Sequence, residues 1–124
     1  MLRIVGVERN EDPQKEFVLL QNQGVLKANL RGHLLADDSA FLDSGEIVLD
    51  RAYAFYEDVC IPASCYVMLV TGRGENRWRR SADGSLVYTV FWNRHRSVWS
   101  KSPGPLHLLG VTHSQPPRLQ WAAV

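Results

Sequence analysis

Long apolar runs are absent from this chain of 124 residues. None reaches the roughly 18 residues that a membrane-spanning helix requires, so the sequence predicts no membrane span. Met1 leads almost directly into the segment Leu2-Arg3-Ile4-Val5, without the charged region, apolar core and cleavage site of a signal peptide. We therefore expect an intracellular, cytoplasmic protein.

Potential metal ligands are also sparse. The two cysteines, Cys60 and Cys65, stand alone, and no second cysteine pair or paired histidines occur at zinc-finger spacing. The acidic stretch from Glu8 to Glu16 lacks the spaced oxygen ligands of a calcium loop. We therefore predict no metal and no cofactor. Two reduced cysteines are expected, and a disulfide across the turn between them is the alternative.

Signatures of catalysis are missing as well. The sequence has no Gly-x-Ser-x-Gly elbow and no phosphate loop, and Gly72-Arg73-Gly74 lacks the third glycine and the following helix of a dinucleotide site. The four histidines are scattered along the chain. The sequence therefore predicts a protein that is not an enzyme. The alternative is an accessory domain of an enzyme, or a small enzyme with an unrecognised active site.

The composition is typical of one compact domain. The chain is 45% hydrophobic and 22% charged, which argues against disorder and against a fibrous protein. A chain of this length can form one core but not two. We predict a domain over residues 1–114 and a tail over 115–124, which begins at Gln115-Pro116-Pro117.

Strand patterns separated by turn signals run through the chain, and no segment predicts a convincing helix. The predicted strands are Leu2–Val7, Phe17–Asn22, Leu30–Asp37, Tyr53–Val59, Cys65–Thr71, Leu86–Asn93 and Leu106–Val111. Residues 41–49 predict a small extra hairpin, and 72–83 predict an exposed loop that ends in the hairpin signal Asp83-Gly84. This pattern favours an all-β sandwich. The predicted buried residues are Val18, Leu20, Leu35, Val90 and Leu108.

Four phrases in this order resemble a lamin tail domain of the bacterial type. Residues Glu16–Asn22 fit its Glu-aromatic-Val-x-Leu-x-Asn strand. Residues Leu30–Asp37 match Leu-x-Gly-Trp-x-Leu-x-Asp, with His33 in place of tryptophan. Residues 61–72 resemble a proline-led turn into a valine-rich strand ending in Thr-Gly, and the last phrase runs from Trp92-Asn93 through Val98 to Leu106-His107-Leu108.

The resemblance covers residues 2–114 and implies an immunoglobulin-like β-sandwich of about seven or more short strands. Domains of this family have no active site of their own and accompany other modules, including nucleases and surface proteins. The resemblance therefore implies attachment to proteins, nucleic acid or membranes. His33 and Leu19 depart from the family pattern, which puts a shared surface in doubt more than a shared fold.

Charge is sorted along the sequence. Residues 1–72 carry six basic and eleven acidic residues, whereas residues 73–101 carry seven basic and two acidic ones. Arginine side chains beside exposed indoles suit phosphate contact and base stacking, or an acidic protein partner. We predict a partner-binding surface for a protein or a polyanion, with weak and non-specific nucleic-acid binding included. Its residues are Arg77, Trp78, Arg79, Arg80, Arg94 and Arg96.

The alternative for this basic region is structural. Trp92 and Trp99 would then belong to the core, and the arginines would be solvated edge charges that discourage strand-to-strand aggregation.

Overall fold

The computed structural model describes residues 1–41, 49–102 and 104–110. These contain ten strands and two short 3-10 helices, at Asp38–Ala40 and Leu49–Arg51. The strands are β1 Leu2–Glu8, β2 Phe17–Asn22, β3 Ala28–Asn29, β4 His33–Asp37, β5 Ala52–Ala54, β6 Cys60–Ile61, β7 Tyr66–Val70, β8 Arg77–Arg80, β9 Leu86–Phe91 and β10 Leu106–Gly110. Within these residues, no helix has the length and apolar character needed to cross a membrane.

The described strands form three sheets. The largest has the order β1-β2-β7-β9-β8, the second the order β10-β4-β5, and β3 pairs with β6 in a short ribbon. Neighbouring strands are antiparallel except β7 and β9, which run parallel. The prediction of an all-β sandwich is confirmed.

The main apolar core lies between the two larger sheets. In β2, Val18 and Leu20 are fully buried and alternate with partly exposed residues, as the period of two in this strand predicts. Of the predicted core residues, Leu35 and Val90 are also fully buried. The prediction is wrong for Leu108, which is only partly buried, because β10 is an edge strand that packs against the margin of the core.

Two predicted strands are shorter than expected for a shared reason. The strand predicted over 30–37 begins only at His33, and the one predicted over 53–59 ends at Ala54. Gly32 has a φ of 92°, and the Arg31 backbone N–H donates to Asn29 Oδ1 (2.9 Å). This turn interrupts the pairing of both segments at the same place.

Cys60 and Cys65 do not pair across a hairpin, the arrangement on which the alternative of a disulfide depends. Cys60 lies in β6, which pairs with β3, whereas Cys65 precedes β7, which pairs with β2 and β9. Both cysteines are free, Cys60 exposed and Cys65 partly buried. Most of the predicted hairpin at 41–49 and all of the tail at 115–124 lie outside the described residues.

A buried carboxylate joins three segments of the chain. Glu16, which is fully buried, accepts hydrogen bonds from the Thr71 hydroxyl (2.8 Å) and the Ser97 hydroxyl (2.6 Å). The backbone N–H groups of Val98 and Trp99 also donate to it, at 2.9 and 3.1 Å. Because these donors satisfy the buried charge without a cation, Glu16 ties the start of β2 to the end of β7 and to the 97–99 segment.

Two other polar side chains act in the same way. Asn22 accepts a hydrogen bond from the Met1 ammonium group (2.7 Å) and donates to the carbonyls of Leu26 and Ile61, each at 2.9 Å. Asp37 accepts from the hydroxyls of Ser39 and Ser102, each at 2.6 Å, and pairs with Arg51 (2.5 Å). Glu16, Asn22 and Asp37, which stand at the ends of segments 16–22 and 30–37, therefore stabilise the fold through their hydrogen bonds.

These contacts predict a loss of stability in acid. Burial by itself raises the pKa of Glu16, but its hydrogen bonds outweigh burial and hold the pKa below the ordinary value of 4.5. The same balance, with Ser102, Ser39 and Arg51 as donors, lowers the pKa of Asp37 from 3.8. Because the folded pKa values lie below the unfolded ones, this contribution is complete above about pH 5 and is lost as the pH falls below about 4.5.

Urea unfolding across this pH range measures the effect. We expect the midpoint to fall steadily below about pH 4.5. Glu16→Gln should show a shallower decline, since the amide has no proton to take up in this range. An identical acid dependence in wild type and Glu16→Gln would show that Glu16 does not contribute.

Candidate interaction surface

Residues 72–83 are not the continuous exposed loop that the sequence predicts. Arg77–Arg80 form β8, which pairs antiparallel with β9 in the register Arg77↔Thr89 to Arg80↔Leu86. The turn between them is the predicted Asp83-Gly84 hairpin: Gly84 has a φ of 89° and donates its N–H to the Ser81 carbonyl (2.9 Å). Residues 77–80 lack the apolar alternation typical of a strand. They form one because their backbone groups hydrogen-bond to β9.

The strand β8 stands at one end of the five-stranded sheet, and all four of its side chains are exposed. We call residues Arg77–Arg80 the arginine edge. Trp78 packs on Tyr88, with ring centroids 5.2 Å apart and planes inclined by 60°. Since Tyr88 packs against the core, Trp78 lies at the margin of the inner face. Side chains alternate along a strand, so Arg80 shares that face and Arg77 and Arg79 lie on the outer face.

An open groove of about 350 Å³ lies beside the arginine edge on the outer face of the sheet. The Arg79 guanidinium lies 5.9 Å from the centroid of the Phe91 ring at this groove. The apolar lining comes from β7 and β9 and comprises Met68, Val70, Val87 and Phe91. The arrangement combines an apolar floor with a cationic rim.

The structure places the other two predicted residues elsewhere. Arg94 lies after β9, with its guanidinium 5.4 Å from the centroid of the Trp92 ring and 3.7 Å from Asp50 Oδ1. Arg96 lines a separate cavity with Arg51 and Lys101. Of the six predicted binding residues, four are therefore adjacent in β8. The other two, Arg94 and Arg96, lie in the segment after β9, which we call the second basic region.

The tryptophans of the basic region divide between core and surface. Trp99 is fully buried and Trp92 is partly buried against the core, whereas Trp78 is 40% exposed. The structural interpretation is therefore correct for Trp99, whereas Trp92 only packs against the margin of the core, and Trp78 is the most exposed of the three.

Ion pairs leave most of the predicted cations unneutralised. The pairs found among the described residues are Arg51–Asp37, Arg94–Asp50 and His107–Asp38. Within that part of the chain, no carboxylate contacts Arg77, Arg79 or Arg80. The Arg80 guanidinium instead donates to the Gly84 carbonyl (2.8 Å). The arginine edge therefore presents three positive charges to solvent.

Metal binding has no candidate in the described ranges. There, no group of three or more histidine, cysteine, aspartate or glutamate side chains is placed to hold a metal ion. Comparisons of the chain with known protein families, with curated proteins and with solved structures found no match. The resemblance to lamin tail domains consequently rests on the four sequence phrases, and the immunoglobulin-like topology stays a prediction.

Sequence reasoning missed the groove and the strand that borders it. One signal was present: the Asp83-Gly84 turn opens an apolar strand of six residues, Leu86–Phe91, and a hairpin needs a partner strand on the other side of its turn. Counting back from the turn points to Arg77–Arg80. The period of two in β9 predicts that Val87 and Phe91 share one face of the strand. That face is the outer one in the sheet, where β9 lies between β7 and β8.

Proposed function

We propose that the protein is a non-enzymatic binding module of the lamin-tail-domain type that attaches to a protein or a polyanion. The observation that carries this proposal is the arginine edge, in which Arg77, Arg79 and Arg80 are exposed within one short strand and contact no carboxylate of the described chain. Guanidinium groups clustered at a sheet edge suit anionic groups of a partner, because each offers several fixed donors.

The buried polar network supports the resemblance to lamin tail domains. Glu16, Asn22 and Asp37 occupy the polar positions of the first two family phrases, and each is buried with several hydrogen-bond partners. When the polar residues of such a sequence motif make structural hydrogen bonds, related chains can share the motif without sharing an active site. This supports a common fold more directly than a common partner.

The competing explanation is that these arginines only protect an open sheet edge. Charged side chains on edge strands prevent pairing between copies, and such charges need no partner. The two explanations differ in one measurable property, which is anion binding localised at β8. A binding surface requires it, whereas an edge that only prevents pairing does not.

Binding to labelled oligonucleotides tests the proposal. We expect weak binding of single- and double-stranded DNA at low salt, with a steep salt dependence, because each neutralised phosphate releases counterions. Arg79→Glu/Arg80→Glu should weaken it by about tenfold or more, since two attractive contacts become repulsive. Low sequence specificity is expected, because the described residues form no α-helix that could read base edges in the major groove. Fluorescence anisotropy measures both affinities.

A matched control separates local contact from net charge. Arg3→Glu/Lys27→Glu changes the net charge by the same amount at two exposed positions away from β8, one of them on the opposite edge strand. We expect this variant to bind nearly as well as wild type. Equal losses in the two double variants, or no binding by wild type, would reject the arginine edge as a binding surface.

A further inference from the structure

No strand of the described residues pairs with the outer side of β8, so this side presents backbone groups as well as arginines. Ser81 donates its N–H to the Ser85 carbonyl (2.8 Å) and continues the β8–β9 register. Hydrogen-bonded and non-hydrogen-bonded pairs alternate in an antiparallel ladder, so Arg79 and Arg77 bond to β9. The backbone N–H and C=O groups of Trp78 and Arg80 consequently point away from β9, toward the open edge.

The side chains of β8 determine which residue types an added strand should carry. A new antiparallel strand would bond to Trp78 and Arg80, and its residues opposite Arg77 and Arg79 would occupy non-hydrogen-bonded pairs, where side chains approach most closely. Carboxylates at those alternate positions would meet the two outer-face guanidinium groups. Apolar residues between them would lie beside the Trp78 ring.

A second copy of this chain does not fit the edge. Pairing β8 with another β8 would place arginines opposite arginines, and like charges directly opposite destabilise a sheet. A nucleic acid fits only part of the surface, because it offers phosphates but no extended backbone to meet the N–H and C=O groups. Trp78, the single exposed indole of the arginine edge, already packs on Tyr88.

We propose that the arginine edge binds an extended acidic segment of a partner protein, which adds to β8 as a sixth strand of the sheet. The proposal rests on the proposed function and specifies the class of its partner. Charge complementarity selects acidic residues at alternate positions, and the exposed backbone groups select a peptide rather than another polyanion.

A labelled peptide of alternating glutamate and valine, about eight residues long and blocked at both ends, is the probe. Two modified forms provide the decisive comparison, one N-methylated on its valine amides and one on its glutamate amides. They carry equal charge and equal numbers of methyl groups. In the antiparallel register with glutamates opposite Arg77 and Arg79, the valine N–H groups face β8. We therefore expect the valine-methylated peptide to bind at least about tenfold more weakly than the glutamate-methylated one.

Amide hydrogen exchange on the unmodified protein provides a second readout that does not depend on a variant folding. The N–H groups of Trp78 and Arg80 should exchange rapidly in the free protein and be slowed about tenfold or more by saturating peptide. Arg80→Pro should lose more affinity than Arg80→Ala, because only proline also removes the outward N–H, and an edge position tolerates it.

The outcomes separate this inference from the proposed function. Equal affinity for the two methylated peptides, with unchanged exchange at Trp78 and Arg80, would overturn strand addition while leaving anion binding intact. Tighter binding of an oligonucleotide at the same residues would overturn the choice of a peptide. Absence of binding by every anionic probe would reject the proposed function itself.

Discussion

Replacement of Glu16 by alanine is expected to lower the free energy of unfolding by about 3 kcal/mol or more. The side chain is fully buried, and its removal would leave the backbone N–H groups of Val98 and Trp99 without an acceptor. Each buried donor that loses its partner costs about 1–3 kcal/mol, and the Thr71 and Ser97 hydroxyls lose their acceptor as well. The loss should therefore exceed that of any surface substitution.

Urea denaturation followed by tryptophan fluorescence measures the change. Glu16→Gln keeps one carbonyl acceptor and the side-chain shape, so its cost should be smaller than that of alanine. Glu8→Ala is the control, because Glu8 is exposed on β1 and its loss should change stability by less than about 0.5 kcal/mol. A similar small effect at Glu16 would show that the buried carboxylate is not a structural anchor.

The same anchor bears on the second basic region. Glu16 holds the 97–99 segment, and Asp37 accepts a hydrogen bond from Ser102, so both ends of the segment that follows Arg96 are fixed to the core. Arg96 is therefore carried by a segment attached at several points, whereas the arginine edge depends on the ladder to β9. The two basic regions are positioned by different parts of the sandwich.

Strands that face the core could be predicted from sequence because burial produces a clear alternation. In β2 the prediction matches the observed bounds, Phe17–Asn22, and the buried face is the one that carries Val18 and Leu20. The strand Arg77–Arg80 was missed because it lies at the sheet edge with all its side chains exposed, so no apolar period marks it. The sequence signal that indicates this strand is the Asp83-Gly84 hairpin turn that follows it.

The candidate site was partly predictable for a related reason. Sequence identifies the arginine-rich segments, but proximity between them depends on where the chain turns after β9. Arg94 and Arg96 follow Asn93, a residue with a φ of 62°, and the Asn93 and Arg94 N–H groups bond to the carbonyls of Gly72 and Thr71. These contacts carry the chain past the end of β7, and no local pattern predicts them.

Replacement of Leu20 by alanine tests the core that supports both regions, and it is expected to cost about 2–5 kcal/mol. Leu20 is fully buried in β2, between β1 and β7, and it belongs to the apolar cluster that joins the two larger sheets. Truncating its isobutyl side chain to methyl would forfeit transfer free energy and leave a cavity that can close only in part, because backbone ladders to β1 and β7 hold β2 on both sides.

The same substitution at an exposed leucine provides the control. Leu26→Ala removes the same atoms from a side chain that is 77% exposed, so it should change the unfolding free energy by less than about 0.5 kcal/mol. Thermal and urea unfolding should therefore separate the two variants clearly, with Leu20→Ala melting well below wild type. Comparable stability of the two variants would place Leu20 outside the core and contradict the inward orientation of β2, on which the outer-face position of Arg79 and its groove also depends.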